Sequence, residues 1–342
     1  MIKKFLEYSD SGTLKYYAFD WDDNVLMMPT VIHMEHLIDG EWTPEDVSTA
    51  DFAIVRKDSE NWRILKNDPN EAFSEFRDFG PRGDKAFLED VKKAVSMGKL
   101  GPAWDDFIEC LVNGSIFALI TARGHEIHPM RMGVEFLIDN LEEDNKNLMY
   151  NNLLKFAYLF KEEGEFDRIL KTKPSENPLV KLYLDKCDFI GVSSPSRGGS
   201  PANPEKAKED ALLYFKDKIN RFAKSVGVKA EIGFSDDDLS NVKHIEDLVD
   251  SIHNEQFPEI SHMYVKGTND PENITKKVRV FEHNDPLASS VLPFTQFNNM
   301  TNRLYPTDMA TSQDDYLNKF RREVKYLAKT SKEAKLKEKK KK

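Results

Sequence analysis

Cysteine is scarce in this chain. There are two in 342 residues, Cys110 and Cys187, far apart and without the paired spacing of a metal knuckle. That excludes a disulfide framework and suits a reducing compartment. Long hydrophobic runs are also missing. No stretch reaches the roughly eighteen apolar residues of a membrane span, and the opening MIKKFLEYSDSG has no apolar h-region, so neither a span nor a secretory leader is expected. Positive charge is in the minority, with 49 Lys and Arg against 59 Asp and Glu and a formal net charge of -10. General nucleic-acid binding through the body of the protein is therefore excluded. A phosphate-loop pattern is absent too, so no fused kinase is expected. These absences together predict a cytoplasmic protein with no membrane partner.

What is present supports a sizeable core, since 39% of the residues are hydrophobic. Four short apolar runs stand out: KYYAF before Asp20, SIFALI before Thr121, CDFIGV before Ser193 and AEIGF before Ser235. Each has strand length and none alternates with polar residues, as expected of strands buried on both faces. Helical patterns separate them. PAWDDFIECLVNG starts with Pro102 and stops at Gly114, MRMGVEFLIDNL follows the second run, and NVKHIEDLVDSIHN follows the fourth. After the third run comes NPEKAKEDALLYFKDKINRFAKSVG, with Asn203 as N-cap, Pro204 at the first helical position and Gly227 as C-cap. Strand and helix in alternation predict an α/β fold with a doubly wound, mostly parallel, Rossmann-like sheet.

The core is expected over 12–254, with insertions at about 29–101 and about 140–186. The first opens with TVIHMEHLIDGEW, a hairpin turning at Asp39-Gly40, and continues with helical segments around a loop at Gly80-Pro81. His33 and His36 fall on opposite sides of its first strand and are read as strand residues. The second insertion is mostly helical. Residues 255–342 form a C-terminal extension in which HMYVKG and KKVRVFEH are read as edge strands. A charged helix from near Gln313 leads into KEAKLKEKKKK. That Lys-rich end is read as solvated, with weak contact to an acidic partner or nucleic acid as the alternative.

Ligands of open α/β sheets bind beyond the carboxyl ends of the strands. The first run ends in Asp20, Asp22 and Asp23, and no Lys or Arg follows before Arg56. The second ends in Thr121, Ala122, Arg123 and Gly124, and the third in Ser193 and Ser194 with Lys206 further on. The fourth ends in Ser235 and the run Asp236, Asp237, Asp238. Like charges crowded this closely repel unless a cation joins them. Hard oxygen donors suit Mg²⁺ rather than zinc. A cation, a basic side chain and a hydroxyl are also what a phosphoryl group needs.

Taken in order, AFDWDDNVL, FALITARG, NPEKAK and IGFSDDDLSNV resemble the four motifs of the haloacid dehalogenase-like (HAD) hydrolase superfamily. The resemblance implies a nucleophilic Asp20 that becomes phosphorylated and ligates Mg²⁺. It implies Asp22 as general acid and then base, with its backbone carbonyl on the metal. Thr121, with Ala122 beside it, would hold phosphoryl oxygens. Lys206, with Lys208 as its competitor, would neutralise them and orient Asp20. Asp236 and Asp237 would complete the metal site, the run of three acids leaving a one-residue choice of register. An acid at position 22 implies a phosphatase or phosphomutase, and the phosphatase would act on a phosphate monoester of a metabolite, a nucleotide or a nucleic-acid end. The departure from the family is Asp23-Asn24, where Gly-Thr is usual. The alternative reading is a catalytically inactive HAD-fold scaffold that uses its C-terminal extension for partner contacts.

Overall fold

β1 (Thr13–Phe19) lies inside a six-stranded sheet, with β5 (Phe117–Thr121) hydrogen-bonded on one side and β7 (Lys229–Asp236) on the other. Beyond β5 comes β6 (Asp188–Gly191), and beyond β7 come β8 (Ile260–Gly267) and β9 (Lys276–Val280). The first five strands in the order β6-β5-β1-β7-β8 run parallel, and β9 closes the edge antiparallel to β8. This computed structural model describes residues 13–159, 176–198, 203–226, 229–251, 256–269 and 276–280. The α/β architecture with a mostly parallel sheet agrees with the expectation from the four apolar runs.

The runs are mostly apolar because both faces of the sheet are covered. Every residue of β5 is buried, and so are Tyr16, Tyr17, Ala18 and Phe19 in succession. Helix α4 (Trp104–Val112) brings Phe107 edge-on against Phe19, with ring centroids 5.3 Å apart. Helix α5 (Ile127–Asp139) packs closely on α3 (Ala86–Ser96). A Cβ on Gly133 would lie 2.6 Å from the Phe87 ring, so glycine sets that approach. Helix α8 (Pro204–Val226) lies against β1, β5 and β7, and α9 (Leu239–Ser251) against β7 and β8. Asn203 accepts from the Lys206 amide at 2.8 Å, as an N-cap should. Among the described residues no helix is long and apolar enough to cross a membrane.

The two insertions contain the hairpin and the helices expected from the sequence. The hairpin is present: β2 (Ile32–Ile38) pairs with β3 (Glu41–Val47), and Asp39 and Gly40 both take positive φ, 52° and 82°. That is the turn whose twist matches paired strands. β4 (Trp62–Ile64) adds a third strand on the other side of β2. His33 pairs with Asp46 and His36 with Glu45, both on the exterior. With α1 (Thr49–Val55) and α2 (Pro69–Ala72), this unit builds its own small core from Ile32, Met34, Val47 and Phe76. Helix α3, by contrast, puts Phe87, Val91 and Ala94 into the main core. The stretch 29–101 is therefore a hairpin unit followed by a core helix. In the second insertion α6 (Glu143–Leu159) and α7 (Pro178–Lys186) bury Met149, Leu153, Val180 and Tyr183 in the main core.

The core boundary at 254 is corrected. β8 is an interior strand, paired over its length with β7, and only β9 is an edge. The core thus reaches at least Val280. Gly227, the helix expected from near Gln313 and the Lys-rich tail lie outside the described residues.

The strand order turns at β1: the chain leaves it for β5 and β6 on one side and for β7 and β8 on the other. Such a switch point opens a crevice at the carboxyl ends of the central strands. Asn24 ties that opening together. Its amide donates to the Asp20 carbonyl at 3.1 Å, the Ser235 carbonyl at 3.2 Å and the Ser235 Oγ at 3.0 Å. Its own oxygen accepts from Thr268 Oγ1 at 2.6 Å. One fully buried side chain thus joins β1, β7 and the end of β8. Asn24→Leu leaves these groups without their partner and is expected to cost about 1–3 kcal/mol, measurable by urea unfolding.

Candidate active site

Asp20 follows β1 directly, and its backbone amide continues the ladder to the Ser235 carbonyl at 2.9 Å. Asp236 ends β7, one position past Ser235, so pairing of the two strands brings their acids side by side. Ligand oxygens of Asp20, Asp236 and Asp237 all lie within 4.8 Å of one another. The two acidic loops, more than two hundred positions apart in sequence, therefore form one cluster.

The cation in this cluster is Lys208. Its Nζ donates to Asp20 Oδ1 and to Asp236 Oδ2, each at 2.8 Å, and the residue is 4% exposed. Among the described residues no other side chain donates to the Asp20 carboxylate. Lys206, the residue favoured from sequence, is instead on the outside, where its ammonium pairs with Glu209 and Asp210. The phase of α8 explains the correction. Lys208 shares a stripe with Ala211, Leu212, Phe215 and Ile219, all buried, at offsets of three, four, seven and eleven. Position 206 falls off that stripe. The apolar pattern of the helix was a signal that could have chosen between the two.

The register of the three consecutive acids is also settled. Asp236 is fully buried, accepts from Asn241 Nδ2 at 3.1 and 3.2 Å and takes the Asp238 amide at 3.0 Å. Asp238 turns outward and caps α9, accepting the Ser240 amide at 2.8 Å. The inward pair is Asp236 and Asp237.

Burial of charge dominates the electrostatics. Desolvation, against the opposing pull of Lys208 and reinforced by Asp236, Asp237 and Asp22, raises the Asp20 pKa well above the ordinary carboxylate range. Burial, with Asp236 next, pushes Asp237 up to about 7. For Lys208 burial works against the charged form, but Asp20 and Asp236 outweigh it and its pKa is raised. Three carboxylates and one ammonium leave the cluster short of positive charge. An all-oxygen cluster of this kind could hold a metal ion, with Asp20, Asp236 and Asp237 as the side chains that would ligate it.

Asp22 lies beside this group with its carboxylate held elsewhere. Arg123 donates to Asp22 Oδ1 through NH2 at 2.6 Å and to Oδ2 through Nε at 2.8 Å, and Thr121 Oγ1 donates to Oδ2 at 3.2 Å. Thr121 is buried, and Ala122 is exposed next to it. Arg123 was read from sequence only as a strand-end residue, and it is one of the largest fully buried side chains. It is fixed by Thr30 Oγ1 at 2.6 Å and by the Phe76 ring, whose centroid is 4.6 Å from Cζ. His125 Nε2 is 3.4 Å from its NH1, and His125 Nδ1 is 2.7 Å from Asp78. The site residues foreseen thus fall into two adjoining groups, Asp20 with Asp236 and Asp237, and Asp22 with Thr121.

Asp23 has φ 56°, the left-handed region that glycine occupies without steric cost and aspartate tolerates. Its carboxylate accepts from Thr49 Oγ1 at 2.5 Å, which pins α1 of the hairpin unit to the site loop.

Two outcomes are expected. Lys208→Met leaves Asp20 and Asp236 facing each other and should destabilise the metal-free protein by about 3–5 kcal/mol in denaturant titration, whereas Lys206→Met leaves the midpoint unchanged. The second concerns pH. Burial, only partly offset by Asp78, lowers the His125 pKa, so the folded state resists a proton that the unfolded chain accepts. Stability is then full above the unfolded histidine value of about 6.5 and declines as pH falls below it. Melting temperatures from pH 7.5 to 5 should drop more steeply for the native protein than for His125→Gln. Compared with family models, with curated proteins and with solved structures, the chain matches none.

Proposed function

We propose that the protein is a Mg²⁺-dependent phosphohydrolase that releases phosphate from a monoester through an aspartyl-phosphate on Asp20. The observation that carries this reading is the placement of Asp20. It sits at the switch point of a parallel sheet, with one oxygen fixed by Lys208 and two further carboxylates close by. The motif resemblance to the HAD hydrolases supports the same assignment. The substrate is a phosphorylated small molecule or a nucleic-acid end.

In this reading a carboxylate oxygen of Asp20 attacks phosphorus. The bond to the ester oxygen breaks, and Asp22 delivers a proton to that leaving oxygen. Asp22, now ionised, takes a proton from water, which attacks the aspartyl-phosphate and releases inorganic phosphate and free Asp20. Lys208 keeps Asp20 oriented and offsets charge that builds on the phosphoryl oxygens. Arg123 and Thr121 hold Asp22 in position for both proton transfers. Mg²⁺, when bound, supplies the positive charge that lets a phosphate dianion approach three carboxylates.

Asp20→Asn removes the nucleophile at little steric cost. It should reduce hydrolysis of an aryl phosphate by at least about a thousandfold while the circular dichroism spectrum and melting profile persist. EDTA should abolish activity and added Mg²⁺ restore it. Full activity in Asp20→Asn refutes the assignment. Mg²⁺ binding by calorimetry with no phosphate released from any ester would instead make the chain a binding module.

A further inference from the structure

On the β5–β6 side of the site, a cavity of about 510 Å³ opens between the end of β6 and the segment around α2. Its lining includes Pro69, Asn70, Arg77, Phe79, Ser193 and Pro195. Its volume lies in the range that small-molecule sites occupy. Nothing in the reaction described above uses it.

The cavity and the catalytic group share a wall. The loop from Thr121 to Gly124 carries Thr121 and Arg123 on the side of Asp22. At its end, Gly124 donates its amide to the Phe76 carbonyl at 3.0 Å and is bridged to Arg77. A Cβ on Gly124 would lie 2.9 Å from the Ser193 carbonyl oxygen and 3.0 Å from Arg77 Cγ, so the loop is wedged between two lining residues. The loop that carries Thr121 and Arg123 to Asp22 thus also touches two residues of the cavity lining, Arg77 and Ser193.

The lining chemistry is selective. In a chain with a net charge of -10, the charged residue among these six is a cation, Arg77. Its guanidinium stands 5.3 Å from the centroid of the Phe79 ring and donates to Asn70 Oδ1 at 2.7 Å. Burial lowers its pKa, and Asp68 offsets part of that. Phe79 is 57% exposed, and two prolines add apolar wall. A cation stacked beside an open aromatic face, with an amide and a serine near it, suits a planar base joined to an anion.

We infer that this cavity receives the part of the substrate beyond the scissile phosphate, and that this part is a nucleotide unit, its base laid on Phe79 and its second phosphate drawn to Arg77. The inference rests on the phosphohydrolase reading for the direction of the substrate. The same chemistry is offered by a free nucleoside bisphosphate and by the last residues of an oligonucleotide.

Equilibrium binding separates these cases without relying on turnover. Calorimetry on full-length Asp20→Asn with Mg²⁺ compares adenosine 3′,5′-bisphosphate, a 3′-phosphorylated dinucleotide and glycerol 2-phosphate, which has no ring. At least one nucleotide is expected to bind at least about tenfold tighter than glycerol 2-phosphate, the size of one base-stacking contact. Adding Phe79→Ala should erase that advantage, and Phe79→Trp should retain it. A dinucleotide binding about tenfold tighter than the bisphosphate assigns an oligonucleotide end, and equal affinities assign a free nucleotide. Equal binding of nucleotides and glycerol 2-phosphate, or an advantage that survives Phe79→Ala, overturns the inference. If the phosphohydrolase reading fails, no ester is turned over by the native protein, and the binding comparison stands apart from that result.

Discussion

The site is organised around a buried ammonium held between two carboxylates from different strands. Lys208 spans Asp20 and Asp236, and none of the three has appreciable contact with solvent. Removing such charges from water costs several kcal/mol each, so the group persists only because geometry and further hydrogen bonds compensate. Asn241 and the Asp238 amide provide those for Asp236. The arrangement dictates where α8 can lie, because its first turns must bring one side chain across the ends of β1 and β7. It also crowds a third carboxylate, Asp237, against the pair, and that crowding together with burial raises the Asp20 and Asp237 pKa values.

A second charged layer supports the first. Arg123 holds Asp22, and is itself held by Thr30, Phe76 and the His125–Asp78 pair. Buried polar networks of this kind specify position when every member has a partner. Here the position specified is that of the carboxylate assigned to proton transfer.

Much of the sheet was legible from sequence because strands buried on both faces must be largely apolar, and FALI of β5 with IGF of β7 are. The acidic strand ends were legible because repelling charges at a strand terminus need a reason. What escaped was decided by three-dimensional packing. Lys206 and Lys208 are equally placed as residues near a helix start, and only the phase of the buried stripe selects Lys208. Arg123 resembled a turn residue because its neighbours Thr30, Phe76 and Phe87 are distant in sequence. β8 reads as an edge strand because the apolar pattern weakens after His253, yet it is buried along its length except at His262, and its Lys266 pairs with Asp106 of α4. The cavity beside Phe79 has no sequence signature, since its walls come from segments more than a hundred residues apart.

The hairpin unit has a small hydrophobic centre of its own, and its links to the acidic loops and the Arg123 network include Thr49 to Asp23, Arg56 to Asp238, the Phe76 ring against Arg123, and the Arg77 bridge to Gly124. A module fastened in this way is separable. Its outer strands can be lengthened or exchanged while the Lys208 cluster keeps its own partners, provided the fastening residues stay in register.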